Sequence, residues 1–317
     1  MAKWYLFWVV VFVAGVLAIV YLPRHSSDAA SSVTTVPDFD QAHAWKDLVY
    51  QVDAGYRIPG TETHRKVRDW LVKELSASAG MVITQPFTHF LGGKDVPMWN
   101  VIANIPGNGK APREQVLLAA HWDSRPIADY DPIEANRKLP IPGADDGASG
   151  VAVLLEVARQ LKAHPVSRDV VIVMFDGEDY GPKVDNMLLG AKYYAAHLTA
   201  AKPTWGVLLD MIGQKDLTIY REPNSDQYAK SVNDRIQRAS RELGFKGSTN
   251  TPGFIDQPYK YPIDDDHMPL NRAGVPTVDL IDFDYPAWHT RNDNPDQCSP
   301  DSLAMIGKTI LYALQLK

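Results

Sequence analysis

The feature that most constrains this chain is a set of short, almost wholly apolar runs that each lead into ionisable side chains. The first, Gln115 to Ala120, ends in His121-Trp122-Asp123-Ser124. A polar, proline-containing loop follows. Then Gly143-Ala144-Asp145-Asp146-Gly147-Ala148-Ser149-Gly150 leads into Val151–Lys162, where apolar residues recur at helical spacing. Asp169–Phe175 runs into Asp176-Gly177-Glu178-Asp179, and Trp205–Leu209 stops at Asp210. Pro276–Ile281 precedes Tyr285-Pro286-Ala287-Trp288-His289-Thr290. Continuous apolar runs of this length read as strands buried on both faces, the kind found in parallel sheets covered by helices. Open sheets of that kind carry their chemistry in the crevice beyond the carboxyl ends of the strands.

The remaining segments agree. Helical spacing appears in Asp40–Ala54, His64–Ala77, Leu188–Leu198, Ser225–Leu243 and Ser299–Leu316. Met81–Phe90 and Trp99–Ile105 read as strands, with Gly92-Gly93 as a hairpin connection. Strands alternating with helices predict an α/β fold: one domain over residues 39–317, with a central, mostly parallel (mixed) β-sheet covered by helices on both faces. No internal repeat interrupts it. At 45% hydrophobic and 22% charged residues, a core of this size is available. The balance of 32 basic against 38 acidic residues, −6 overall, argues against a general nucleic-acid binder and leaves peptides or small molecules as substrates. The lone Cys298 excludes an internal disulfide.

At the N-terminus, Trp4–Leu22 is uncharged and nearly all apolar, with Lys3 before it and Arg24 behind it. Nineteen such residues just span a bilayer core, and the aromatics near its ends suit the interfaces. Residues 1–24 are expected to form an uncleaved membrane anchor, with a cleaved signal peptide as the alternative. Residues 25–38 read as a tether. Either way the catalytic part is expected to be exported, anchored to the membrane, or secreted or periplasmic after cleavage.

Taken singly, His121 is an ordinary strand-end histidine, Asp145-Asp146 a helix cap, Glu178-Asp179 an acidic loop, Asp210 a salt-bridge partner and His289 a packed surface residue. All of these at once, each beyond the end of a strand, is a far less ordinary coincidence. Imidazoles and carboxylates converging on one edge make a suitable shell for zinc in an open catalytic site.

These motifs, His-x-Asp, Gly-Ala-Asp-Asp-Gly-Ala-Ser-Gly, Asp-Gly-Glu-Asp, Leu-Leu-Asp and a late Trp-His-Thr, resemble in order and spacing the zinc-dependent family that contains bacterial aminopeptidases and animal-type glutaminyl cyclases. The likeness is strong from Gln115 to Asn294 and weaker from Asp40 to Pro106. It implies an aminopeptidase-like (phosphorylase/hydrolase-like) fold, with Asp146, Asp179 and His289 as zinc ligands and Glu178 as general acid/base. It also implies a cis peptide after Asp146. In the two-zinc aminopeptidases, His121 and Asp210 complete a second metal site and Asp123 orients a ligand.

Two features are similar to the cyclases in particular. One is Ile263-Asp264-Asp265-Asp266-His267-Met268-Pro269, in which Asp265 would join Asp210 in a proton network around Glu178. The other is Trp288 before His289, which would wall the substrate pocket. The implied activity is conversion of N-terminal glutamine of peptides or proteins to pyroglutamate, with aminopeptidase as the alternative. Three features depart from the pattern. Asp179 stands where a Glu is usual, Tyr180–Asn186 holds no Trp, and the animal enzymes' disulfide cannot form. A binding domain with a degraded site would have lost a ligand, and none is missing.

Expressed with its N-terminus intact, the chain should fractionate with membranes and resist carbonate extraction. A soluble form beginning near Ala30 would instead establish a cleaved signal peptide.

Overall fold

The computed structural model describes residues 38–199, 202–248 and 250–316. The expected anchor and nearly all of the tether lie outside them. Among the described residues no helix is long and apolar enough to cross a membrane.

The chain opens with α1 (Gln41–Asp53) and α2 (Glu62–Ser76). Both begin where a side chain takes up a free backbone N–H: Asp40 accepts from His43 at 3.0 Å, and Thr61 from His64 at 3.2 Å. The strands β1 (Met81–Leu91) and β2 (Lys94–Ile105) then pair antiparallel around Gly92-Gly93. Next come β3 (Gln115–His121), α3 (Ala148–Ala163), β4 (Asp169–Phe175), α4 (Leu189–Ala196) and β5 (Trp205–Asp210). They are followed by β6 (Thr218–Arg221), α5 (Pro223–Glu242), β7 (Gly253–Pro258), α6 (His267–Arg272), β8 (Thr277–Ile281) and α7 (Pro300–Ala313).

Six strands form the central sheet in the order β1-β2-β4-β3-β5-β8. β3 runs parallel to β4 and β5, and β5 parallel to β8, while β2 is antiparallel to β4. The carboxyl ends of β3, β4, β5 and β8 therefore share one edge. In register there, His121 stands beside Phe175 and Asp210 beside Ile281.

Alternate side chains of the central strands enter two cores. Val116, Leu118 and Ala120 of β3 pack with α1, α3 and α7, whereas Leu117 and Ala119 pack with α4 and α6. Each fully buried aliphatic side chain contributes about 1.5–3 kcal/mol, so two filled faces hold the sheet edge firmly. This is the single α/β domain with a mixed, helix-covered sheet that the apolar runs predict.

The small parallel pair β6–β7 and the short α6 were not foreseen. β6 has four residues, and the second half of β7 is exposed, so neither presents a long apolar run. The cis peptide expected after Asp146 is also absent: the cis bonds among the described residues precede Pro112 and Pro182.

Helix α3 carries the turn bearing Asp146 against the sheet, and Gly150 permits that approach. A Cβ at this position would lie 2.4 Å from the Leu209 carbonyl oxygen and 2.9 Å from the Ala120 Cβ. Gly150→Ala should therefore cost about 1–3 kcal/mol, as overpacking does, read as a lower urea midpoint at unchanged m-value. An unchanged midpoint would mean that α3 can retreat without loss.

Candidate metal centre and active site

Three loops at the common strand edge bring Asp146, Asp179 and His289 together. One ligand atom from each can be chosen so that all lie within 4.8 Å of one another. The His289 Nε2 is 3.6 Å from Asp146 Oδ2 and 3.4 Å from Asp179 Oδ2. Both of those oxygens are buried without a hydrogen-bond partner. Donors bound to one tetrahedral ion at about 2.0–2.2 Å stand roughly 3.3–3.6 Å apart, so the spacing and the orphaned oxygens fit one such ion. The backbone of His289 is in the left-handed region, at φ 52°. Strain of that kind persists where surroundings fix it. Here the Tyr130 N–H donates to the His289 carbonyl at 3.2 Å, and the Thr290 hydroxyl donates to the Ala287 carbonyl at 2.7 Å.

A second group shares Asp146. His121, Asp146 and Asp210 also gather within 4.8 Å, and His121 Nε2 is 3.1 Å from Asp146 Oδ1 and 3.2 Å from Asp210 Oδ1. Burial lowers the pKa of the His121 imidazole, but Asp123, Asp146 and Asp210 together hold it well above its ordinary value.

Several supports were not legible as such in the chain. Asp123, expected to orient a ligand, does more: it lies 3.5 Å from His121 Nδ1 and accepts the backbone N–H groups of Glu178 and Asp179 at 3.1 and 3.3 Å. Asp293 accepts the N–H groups of Asp145 and Asp146 at 2.9 and 3.3 Å and the Tyr285 hydroxyl at 2.7 Å. Fully buried Arg57 donates to the carbonyls of Trp122, Pro142 and Gly143 at 3.0, 3.0 and 2.6 Å, holding the approach to Asp146. Arg125 binds Asp179 and Asp129. Arg125 directly follows the His121-Trp122-Asp123-Ser124 run, the only hint of it. Asp293 lies four residues beyond His289 in a run that reads as a solvated loop.

Beside the metal group opens a cavity of about 210 Å³, lined among others by Glu178, Asp210, Asp265, Tyr261, Phe283 and Trp288. Burial, then the charges of Asp179 and Asp265, hold the Glu178 carboxyl well above the usual range, against the pull of His121. Burial and the charge of Asp210 push Asp265 to about 7. Burial and like charge thus favour the protonated form of Glu178, the kind of perturbation an acid–base group in a cleft shows. The half-buried Trp288 lies with its ring 4.0 Å from His289 and 4.8 Å from Phe283, so it walls the cavity next to the metal group. His267, next to Asp265-Asp266 in sequence, is fully buried and stands 3.3 Å from Glu222.

The similarities to known proteins run the length of the domain. The chain is 28% identical over 221 residues to an aminopeptidase of Bacillus subtilis, covering 66% of this chain but only 42% of that protein. It is 28% identical over 288 residues to the glutaminyl-peptide cyclotransferase of Drosophila melanogaster, covering 82% of this chain and 77% of the relative. Among solved structures, the glutaminyl cyclase of Tannerella forsythia superposes with a TM-score of 0.81 at 36% identity, over 89% of this chain and all of that one. The profile of peptidase family M28 matches residues 100–314, and the chain belongs to that family.

Proposed function

We infer that this chain is a glutaminyl-peptide cyclotransferase, closing N-terminal glutamine to pyroglutamate with release of ammonia, and that Asp146, Asp179 and His289 hold its zinc ion. The observation that carries the reading is the walled cavity beside the metal group. Its elevated carboxyl, Glu178, lies among Asp210 and Asp265, and Trp288 stands next to His289. The likeness to the Tannerella cyclase over all of that chain supports it.

In this reaction the α-amine attacks the γ-amide carbon of its own side chain. A C–N bond closes a five-membered ring and the amide C–N bond breaks. Because the attack is intramolecular, the cavity has only to hold the glutamine folded back and keep water out. Trp288 and Phe283 supply that apolar wall. Bound at the three ligands, zinc would supply Lewis-acid polarisation of the γ-carbonyl. Glu178 takes a proton from the attacking amine and returns one to the departing ammonia. The charges of Asp179 and Asp265 favour the protonated form of Glu178. Peptide and protein N-termini are the substrates, and membrane attachment through Trp4–Leu22 is proposed on the sequence alone.

Aminopeptidase activity is the second reading, favoured by the compact His121–Asp146–Asp210 group, which could hold a second ion. Two assays on the zinc-loaded protein decide between them. A Gln-initiated peptide should lose ammonia, and an amino-acid arylamide should remain intact. Arylamide hydrolysis without cyclisation would reject the cyclase. Glu178→Gln keeps the shape but cannot shuttle the proton, and should lower kcat by at least ~100-fold.

The pH profile tests the carboxyl arrangement. Glu178 must be ionised to accept a proton, so kcat/KM should fall as pH drops through its raised pKa. Asp265→Asn removes a negative charge that favours the protonated form. Its acid limb should move to lower pH, and an unmoved limb would mean the two groups are not coupled.

A further inference from the structure

Arg125, in the loop after β3, is nearly buried, with only 3% of its side chain exposed. Its Nε and Nη2 grip Asp129 at 2.8 and 2.8 Å, and its Nη1 donates to Asp179 Oδ1. Asp129 in turn stands 3.6 Å from His289 Nδ1, the ring nitrogen opposite the one facing Asp146 and Asp179. One guanidinium therefore reaches two of the three metal-ligand residues, one directly and one through Asp129. The backbone of Gly181 packs on the same group: a Cβ there would lie 2.5 Å from Arg125 Nη1. Neither Arg125 nor Asp129 lines the substrate cavity.

We propose that Arg125 is a positioning residue that sets the coordination of the metal centre. By holding Oδ1 of Asp179 it leaves Oδ2, the buried oxygen without a partner, as the one that faces His289 Nε2. A carboxylate that binds through one oxygen keeps the coordination number low and a position open for substrate. The guanidinium also offsets negative charge at a site with more carboxylates than imidazoles. Asp129 faces His289 from behind at 3.6 Å, beyond hydrogen-bond reach of the unpartnered Nδ1, and so acts on the ring by charge. The arrangement also accounts for the short Asp179. With one methylene fewer than a glutamate, its carboxylate is held between the guanidinium and the metal position rather than reaching across it. The proposal rests on the metal-centre reading above.

The test measures zinc affinity of the full chain by competition with a chromogenic chelator, after stripping and without reference to turnover. Arg125→Gln should raise the zinc Kd by about 10- to 100-fold. Arg125→Lys keeps the charge but loses the planar fork, and should fall between it and wild type. Gly181→Ala changes no charge, yet displaces Nη1 and should weaken zinc in the same direction. The Tm of each stripped variant records damage to the fold separately. A merely structural Arg125 would lower that Tm while leaving the zinc-induced rise in Tm unchanged. Folded variants with a zinc Kd within twofold of wild type would overturn the proposal. Should Arg125→Gln fail to fold, Arg125→Lys and Gly181→Ala decide. A wild-type chain that binds no zinc would overturn the metal-centre reading, and this proposal with it.

Discussion

Too many carboxylates are buried at one edge of the sheet for all of them to be ionised unaided. Asp146, Asp179, Asp210, Glu178 and Asp265 are each 8% exposed or less. Removing charge from water costs several kcal/mol per ion unless opposite charge compensates. His121, His289 and Arg125 supply some of that compensation and leave a surplus of negative charge. The surplus has two outlets, a cation and protons, and the site is arranged for both. Asp146 and Asp179 point orphaned oxygens at His289, where an ion fits, while the carboxyls of Glu178 and Asp265 are raised and favour the protonated form. Metal binding and acid–base chemistry are two consequences of the same crowding.

The scaffold sustains the crowding because the charges sit on well-anchored backbone. Parallel strands β3, β4, β5 and β8 deliver their loops to one edge, and the two apolar faces beneath leave the edge little freedom to relax. Backbone N–H groups and buried cations then fix the loops: Asp123 holds 178 and 179, Asp293 holds 145 and 146, and Arg57 holds 142 and 143. Without these the like-charged segments would swing apart toward water.

Much of this could be read in the chain, and the reason is physical. A strand buried on both faces has to be apolar throughout, so its end is conspicuous when the first polar residues are His121, Asp176 or Asp210. His121, Glu178, Asp179 and Asp210 were identified that way, with Asp146 and His289 in loops beyond strands, whereas Asp265 and Trp288, and every role, came from the family resemblance. Arg125, Asp129 and Asp293 were not, because a buried ion pair formed between loops leaves no periodicity, and in sequence it is indistinguishable from solvated polar residues. β6, β7 and α6 escaped for a related reason: elements this short bury too few side chains to make a pattern. The β1–β2 hairpin was marked by its turn glycines, although β2 begins at Lys94, ahead of the Trp99 start read from the sequence.

The central claim is that one cation sits where Asp146, Asp179 and His289 meet. Diffraction from crystals grown with equimolar zinc, recorded on either side of the zinc absorption edge, tests it without relying on activity. The account predicts an anomalous peak about 2.0–2.2 Å from one oxygen of Asp146, one oxygen of Asp179 and the His289 Nε2. A zinc peak only elsewhere, or none with these three side chains ordered as described, would contradict it.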